Sequence, residues 1–222
     1  MTDVSFKIAI NSLPRAGRIF LNACGNDMEF CQLQINYLDW TLQNGKDKYD
    51  LLKKWNIPVW VMEPVRGGKL AKLDESYETK MKAFRPDESI AAWSFRFLQE
   101  LSDIKMIFSG MSNMEQLQQN IETYNTEKPL NEQEFAAIMN IADAMIAKNN
   151  VPCTACSYCV EHCPVGIAIP EIIKLYNALS EGSTDKPGNP GPSDCIGCGK
   201  CRFVCPQGID VPKVMADYAS KL

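Results

Sequence analysis

Eight cysteines between positions 153 and 205 constrain this chain more than anything else in it. They form two runs of one spacing, Cys153-x2-Cys156-x2-Cys159-x3-Cys163-Pro164 and Cys195-x2-Cys198-x2-Cys201-x3-Cys205-Pro206. The likeness extends past the cysteines. Cys163 to Pro170 and Cys205 to Pro212 both read CPxGIxxP, and each is followed by a helical run with its proline at a first helical position. Between the copies, residues 183–193 (STDKPGNPGPS) form a Gly/Pro-rich loop. The back of the chain is therefore two copies of one cysteine-loop-helix unit. Only Cys24 and Cys31 lie outside it, and both read as small buried hydrophobes.

Ten cysteines in a chain whose first residues lack a continuous apolar core point to metal before disulfides. The spacing, with its trailing proline, is that of the bacterial-type 4Fe-4S ligand run, in which the fourth cysteine serves the other cluster. Three thiolates on one tight loop can reach three corners of a cube, and the fourth corner is filled from elsewhere. The proline turns the chain away and brings no N–H that needs a partner. One cluster is thus expected on Cys153, Cys156, Cys159 and Cys205, the other on Cys195, Cys198, Cys201 and Cys163. Zinc would use two C-x2-C pairs and leave four cysteines without a role. Disulfides would need an oxidising compartment, and unrelated buried thiols would not repeat at fixed spacing. His162, the one histidine, adjoins Cys163. With all eight thiolates present, it reads as a surface residue or a support to the ligands.

The front of the chain alternates strand-like and helix-like segments. Phe30 to Ile35, Val59 to Met62 and Lys105 to Phe108 read as strands. Helices are expected at Tyr49 to Trp55, after Pro86-Asp87-Glu88-Ser89, and from Ser112-Asn113-Met114-Glu115, which has capping-box spacing. Alternation of this kind implies a parallel sheet with right-handed crossovers. A further amphipathic helix, Asn131 to Lys148, carries Phe135, Ile138, Ala142 and Met145 on one stripe. A net charge of −4 argues against a nucleic-acid partner, which needs a basic face to displace counterions from phosphates, and none is expected. No apolar run approaches the ~18 residues of a membrane span, and a cytoplasmic location is expected.

Two resemblances add to this. The back half, Val151 to about Tyr218, resembles the helical two-cluster ferredoxin domains that serve as electron wires in larger oxidoreductases. In the front half, Phe30-Cys31-Gln32-Leu33-Gln34-Ile35-Asn36-Tyr37 resembles the sixth barrel strand of the aldo/keto reductase family. Met62-Glu63-Pro64 with Arg66-Gly67-Gly68-Lys69-Leu70 resembles its seventh strand and loop. Ser109-Gly110-Met111-Ser112-Asn113-Met114-Glu115-Gln116, running on to Asn120, resembles its eighth strand and nucleotide-holding helix. This likeness, over about Ala23 to Tyr124, implies a (β/α)8 barrel that uses NADP. Gln32 would face the nicotinamide amide, while Gly110, Ser112, Gln116 and Asn120 would line the adenosine-phosphate pocket. The plain alternative is that Gly110 is only a turn and Ser112 only a cap. The family's catalytic Asp, Tyr, Lys and His belong to earlier strands, so no catalytic residue is assigned.

The expectation is an α/β chain: a partial (β/α)8 barrel of about three C-terminal βα units, followed by a mainly α-helical two-cluster 4Fe-4S ferredoxin-like domain. Residues 1–20 are left as an unassigned arm, 21–126 as the partial barrel, 127–150 as a connecting helix, and 151–222 as the cluster domain. The chain then looks like the C-terminal portion of a longer iron-sulfur aldo/keto reductase. Its expected function is electron transfer through two 4Fe-4S clusters, with a redox partner protein and an open barrel edge available for association. The alternatives are an NAD(P)H-dependent carbonyl reductase, if a full barrel is present, or a non-catalytic redox-sensing or structural cluster protein.

Overall fold

The computed structural model describes residues 8–9, 21–148, 151–180 and 182–222. Backbone contacts divide the chain into two units, Met1–Ala147 and Lys148–Leu222. The junction expected at Asn149-Asn150 lies outside the described residues.

In the front unit four parallel strands stand side by side in chain order: β1 (Ile8–Ala9), β2 (Cys31–Gln34), β3 (Val59–Met62) and β4 (Ile104–Ile107). Parallel neighbours require crossovers, and helices supply them. Helices α1 (Asp39–Leu42) and α2 (Gly45–Lys54) lie between β2 and β3, and α3 (Glu75–Lys82) and α4 (Ile90–Gln99) between β3 and β4. Helices α5 (Met114–Asn125) and α6 (Glu132–Ala147) follow. Cys31 pairs with Val59 and Gln34 with Met62, while a register irregularity at Val59 and Trp60 interrupts the β3–β4 ladder. Among the described residues the sheet is open, with β1 and β4 at its edges. The unit is thus a mixed α/β layer and not a closed barrel, because closure needs a full ring of strands whose tilt and stagger agree. Strand β1 falls in the arm left unassigned at 1–20; two residues are too few to show alternation.

The core follows from strand alternation. Val59 and Val61 are buried while Trp60 and Met62 are half-buried. Leu52 of α2, Trp93 and Phe97 of α4, and Ile138 and Ala142 of α6 share that core. Helix α6, expected as a connector, therefore belongs to the front unit, with Phe135 and Met145 half-buried at its rim. Arg85 anchors its start through Glu134 at 2.6 Å and the Pro129 carbonyl at 2.9 Å. The hydrogen bond from Arg85 holds the Glu134 carboxyl below the usual carboxylate range. Arg96 donates to the carbonyls of Thr123 at 2.8 Å and Thr126 at 2.5 Å, satisfying acceptors at the end of α5.

The back unit is helical: α7 (Tyr158–Glu161), α8 (Ile169–Leu179), α9 (Lys200–Phe203) and α10 (Val211–Ala219). The sequence repeat is a structural one, since α9 and α10 start 42 residues after α7 and α8. Ile167 and Ile209, then Ile169 and Val211, occupy equivalent buried places, and Tyr176 meets Tyr218 edge-on at 5.6 Å. No helix among the described residues is long and apolar enough to cross a membrane.

Candidate metal centres

Each cysteine run sits on a loop that rises into a one-turn helix and ends at a glycine turn. The loops need left-handed backbone at two matched places. Gly197 and Gly199 supply it in the second copy at φ 68° and 74°, but the first copy has Ala155 and Ser157 there, at 57° and 65°. A side chain in this region costs on the order of 1 kcal/mol. We expect Ala155→Gly to raise the stability of the cluster-loaded unit by about 0.5–1 kcal/mol. Gly197→Ala, whose new Cβ would meet nothing within 4 Å, should lower it by about 1 kcal/mol through backbone strain alone. Denaturant midpoints followed by visible absorbance measure both, and a reversed order of the two variants would refute the repeat argument.

The cysteines gather in two places. Cys159 feels the charges of Cys153, Cys156 and, from the other copy, Cys205. Burial, followed by these neighbours, pushes its thiol up to about 11. Cys201 is likewise raised, first by burial and then by Cys195 and Cys198. Cys195, Cys198 and Cys201 share a cavity with Cys163 from the first copy, walled by Ile167, Ile169, Val211 and Met215. His162 is exposed at the rim of that cavity. All the cysteines are free thiols. Among the described residues no three His, Cys, Asp or Glu side chains are arranged to hold one metal ion. The apolar walls around Cys163, Cys195, Cys198 and Cys201 fit a cubane, whose four iron corners each take one thiolate. A bound 4Fe-4S cluster supplies one-electron acceptor chemistry; the protein supplies thiolates, a dry wall and fixed geometry. Of the two outlying cysteines, Cys31 is buried and its thiol is pushed up to about 12 by desolvation, whereas Cys24 is only half-buried.

The residues assigned to a nucleotide separate. Gly110, Ser112, Gln116 and Asn120 line one cleft at the ends of β3 and β4. Gln32, on β2, is not among its lining residues. Gly110 has no left-handed φ, and space is open where a Cβ would stand, so its backbone does not require glycine. Asn113, rather than Ser112, caps α5, accepting from Gln116 N at 2.9 Å, while Gln116 Oε1 accepts from Ser112 N at 2.7 Å. Those two N–H groups are therefore spent within the chain. Among the described residues no Lys, Arg or His lines the cleft, and the one ionisable side chain there is Glu63. That lining does not fit the phosphates of NADP. The reading from sequence gave no role of their own to Glu63 and Arg66, which it placed in a strand-and-loop motif, and it missed the buried group of Asn36, Asp39 and Arg66.

Comparison with known proteins places one part of the chain. A family model described as a 4Fe-4S dicluster domain matches residues 152–209, and nothing in it corresponds to the front unit that carries the aldo/keto reductase likeness. Neither curated proteins nor solved structures give a match. The matched segment spans both cysteine runs, and it makes the back of this chain an iron-sulfur region of ferredoxin type.

Proposed function

We propose that the chain is an iron-sulfur oxidoreductase component that carries electrons one at a time through two 4Fe-4S clusters. One is held by Cys153, Cys156, Cys159 and Cys205, the other by Cys195, Cys198, Cys201 and Cys163. The observation that supports this reading is that Cys205 is within electrostatic reach of Cys159 and Cys163 shares the cavity of Cys195, Cys198 and Cys201, as an exchange of fourth ligands between the copies requires. Such an exchange brings two clusters near each other, as an electron wire needs. The front unit reads as about three βα units of an aldo/keto reductase-type barrel, which the consecutive parallel order of β2, β3 and β4 supports. A redox protein is the natural partner, and the edge strand β4 offers a further contact.

Anaerobic reconstitution tests the proposal. About eight iron and about eight sulfide per chain are expected, with a reversible low-potential couple and paramagnetic signals on reduction. Saturation by two zinc ions without broad visible absorbance would refute it. Clusters that only decompose on oxidation, without a reversible couple, would favour a sensor over a wire.

A further inference from the structure

We propose that the surface around the second cysteine run, Cys195 to Cys205, docks a small acidic electron-carrier protein. This names the partner for the electron-transfer reading above and rests on it. Each copy brings one cysteine to the surface. Cys156 and Cys198, the second of each run, are exposed, while the other six are wholly or partly buried. A protein partner can therefore approach either run, and the residues around each one decide between them.

The 42-residue offset between the copies allows a comparison position by position. Residues 195–213 carry Lys200, Arg202 and Lys213 against Asp210 alone, a net charge of +2. The matching residues 153–171 carry Glu161 and Glu171 with no Lys or Arg, a net charge of −2 with His162 neutral. Lys200, Arg202 and Lys213 are all exposed. Arg202 reaches Asp210 at 3.5 Å across a pair open to solvent, and Lys200 makes no ion pair among the described residues. The acids just outside the stretch are already engaged: Asp194 accepts from Gly191 N at 2.8 Å, and Asp217 pairs with Lys221 at 2.5 Å. Bound clusters would add the same charge to each copy, so the contrast between the copies stands. In a chain of net charge −4, this is a local cationic surface.

Apolar area falls in the same place. Phe203 is 89% exposed and Ile196 is 67% exposed, where the first copy has Glu161 and Thr154. Lys200 and Phe203 stand three residues apart on α9 and so share one face, while Cys201 between them is buried. Ile196 borders the same cavity as Cys198. The first copy has one large exposed apolar residue, Tyr158, and it is on the same short helix as Glu161. An exposed aromatic anchor with cations beside it has the composition of a docking face. The cations favour a partner of opposite sign and speed its approach. A basic carrier would meet like charge here.

Titration calorimetry on the cluster-loaded full chain provides the test, with an acidic flavodoxin as probe and a basic cytochrome c as the charge-reversed comparison. Flavodoxin should bind saturably at about 50 mM salt and at least about tenfold more weakly at about 500 mM. Lys200→Glu with Arg202→Glu should weaken it at least about tenfold at unchanged iron content, and Phe203→Ala by a similar factor. Those positions adjoin ligands, so Lys213→Glu, outside the cysteine run, repeats the test away from the clusters and should weaken binding about threefold or more. Glu161→Lys with Glu171→Lys should not weaken it. Absence of saturable flavodoxin binding to a chain that holds about eight iron, or unchanged affinity in all three second-copy variants, would overturn the docking face and leave the wire standing. So would cytochrome c binding that Phe203→Ala weakens, or self-association of the chain that Phe203→Ala abolishes, since each puts another occupant on this surface. A chain that takes up no clusters would overturn both readings.

Discussion

Asp39→Ala should destabilise the front unit by about 3–5 kcal/mol, a large share of the ~5–15 kcal/mol that holds a typical domain folded. Asp39 is fully buried and Arg66 is 2% exposed. Both Asp39 oxygens meet Arg66 Nε at 3.0 Å, and Oδ2 also accepts from Gln34 at 2.7 Å and Asn36 at 2.8 Å. Removing the carboxylate takes the counter-charge from a guanidinium that water does not reach, and takes an acceptor from the amides of Gln34 and Asn36. Replacing Asp39 and Arg66 together by apolar residues should cost much less than Asp39→Ala alone, because the guanidinium then leaves with its counter-charge. All four tryptophans (Trp40, Trp55, Trp60 and Trp93) lie in this unit, so urea unfolding followed by tryptophan emission reads it selectively. A loss below about 1 kcal/mol for Asp39→Ala would show that the buried pair is not the clamp described here.

The second large effect concerns iron. Stripping the clusters with a chelator should unfold the back unit and leave the tryptophan emission of the front unit unchanged. Buried residues in the back core are few: four isoleucines at 167, 169, 172 and 173, together with Cys201, Ile209, Val211, Met215 and Tyr218. Helices α7 and α9 are single turns of four residues, too short to persist alone. The left-handed loop positions add strain that only ligation opposes. In so small a core, metal-binding free energy is folding free energy. Far-UV helical signal should therefore fall on chelation, with no matching shift in tryptophan emission. Cys163→Ser extends the test: it should remove the cluster held by Cys195, Cys198 and Cys201 while the other remains. A back unit that keeps its helical signal without iron, or a Cys163→Ser protein that loses the other cluster instead, would contradict this account.

What could be read from the residues in order is what depends on near neighbours. The iron-sulfur region was legible because three thiolates on one loop are placed by backbone geometry over a few residues, and a second copy repeats them. Strand β3 was legible for the same reason, since Pro58 and Glu63-Pro64 bracket a β-rich run of four residues. Ser89 caps α4 as its type predicts, accepting from Ala92 N. At α5 the local rule chose the wrong residue, because Ser112 and Asn113 are both good caps and only the path of the chain out of β4 decides between them. Other features were beyond any local pattern. Asp39 and Arg66 are 27 residues apart, and nothing around either one announces a buried pair. The two-residue strand β1 exists only because β2 is beside it. Gln32 and Ser112 look like parts of one nucleotide site in a linear motif, yet only Ser112 borders the cleft. Glu63 reads as part of a strand-and-loop motif until the fold takes one of its carboxylate oxygens out of solvent. The spacing of cysteines determined the cofactor type from sequence, because ligand geometry is encoded along the chain. Burial of a charge, as at Asp39 and Arg66, was decided only by tertiary structure, because desolvation depends on which distant segments pack together.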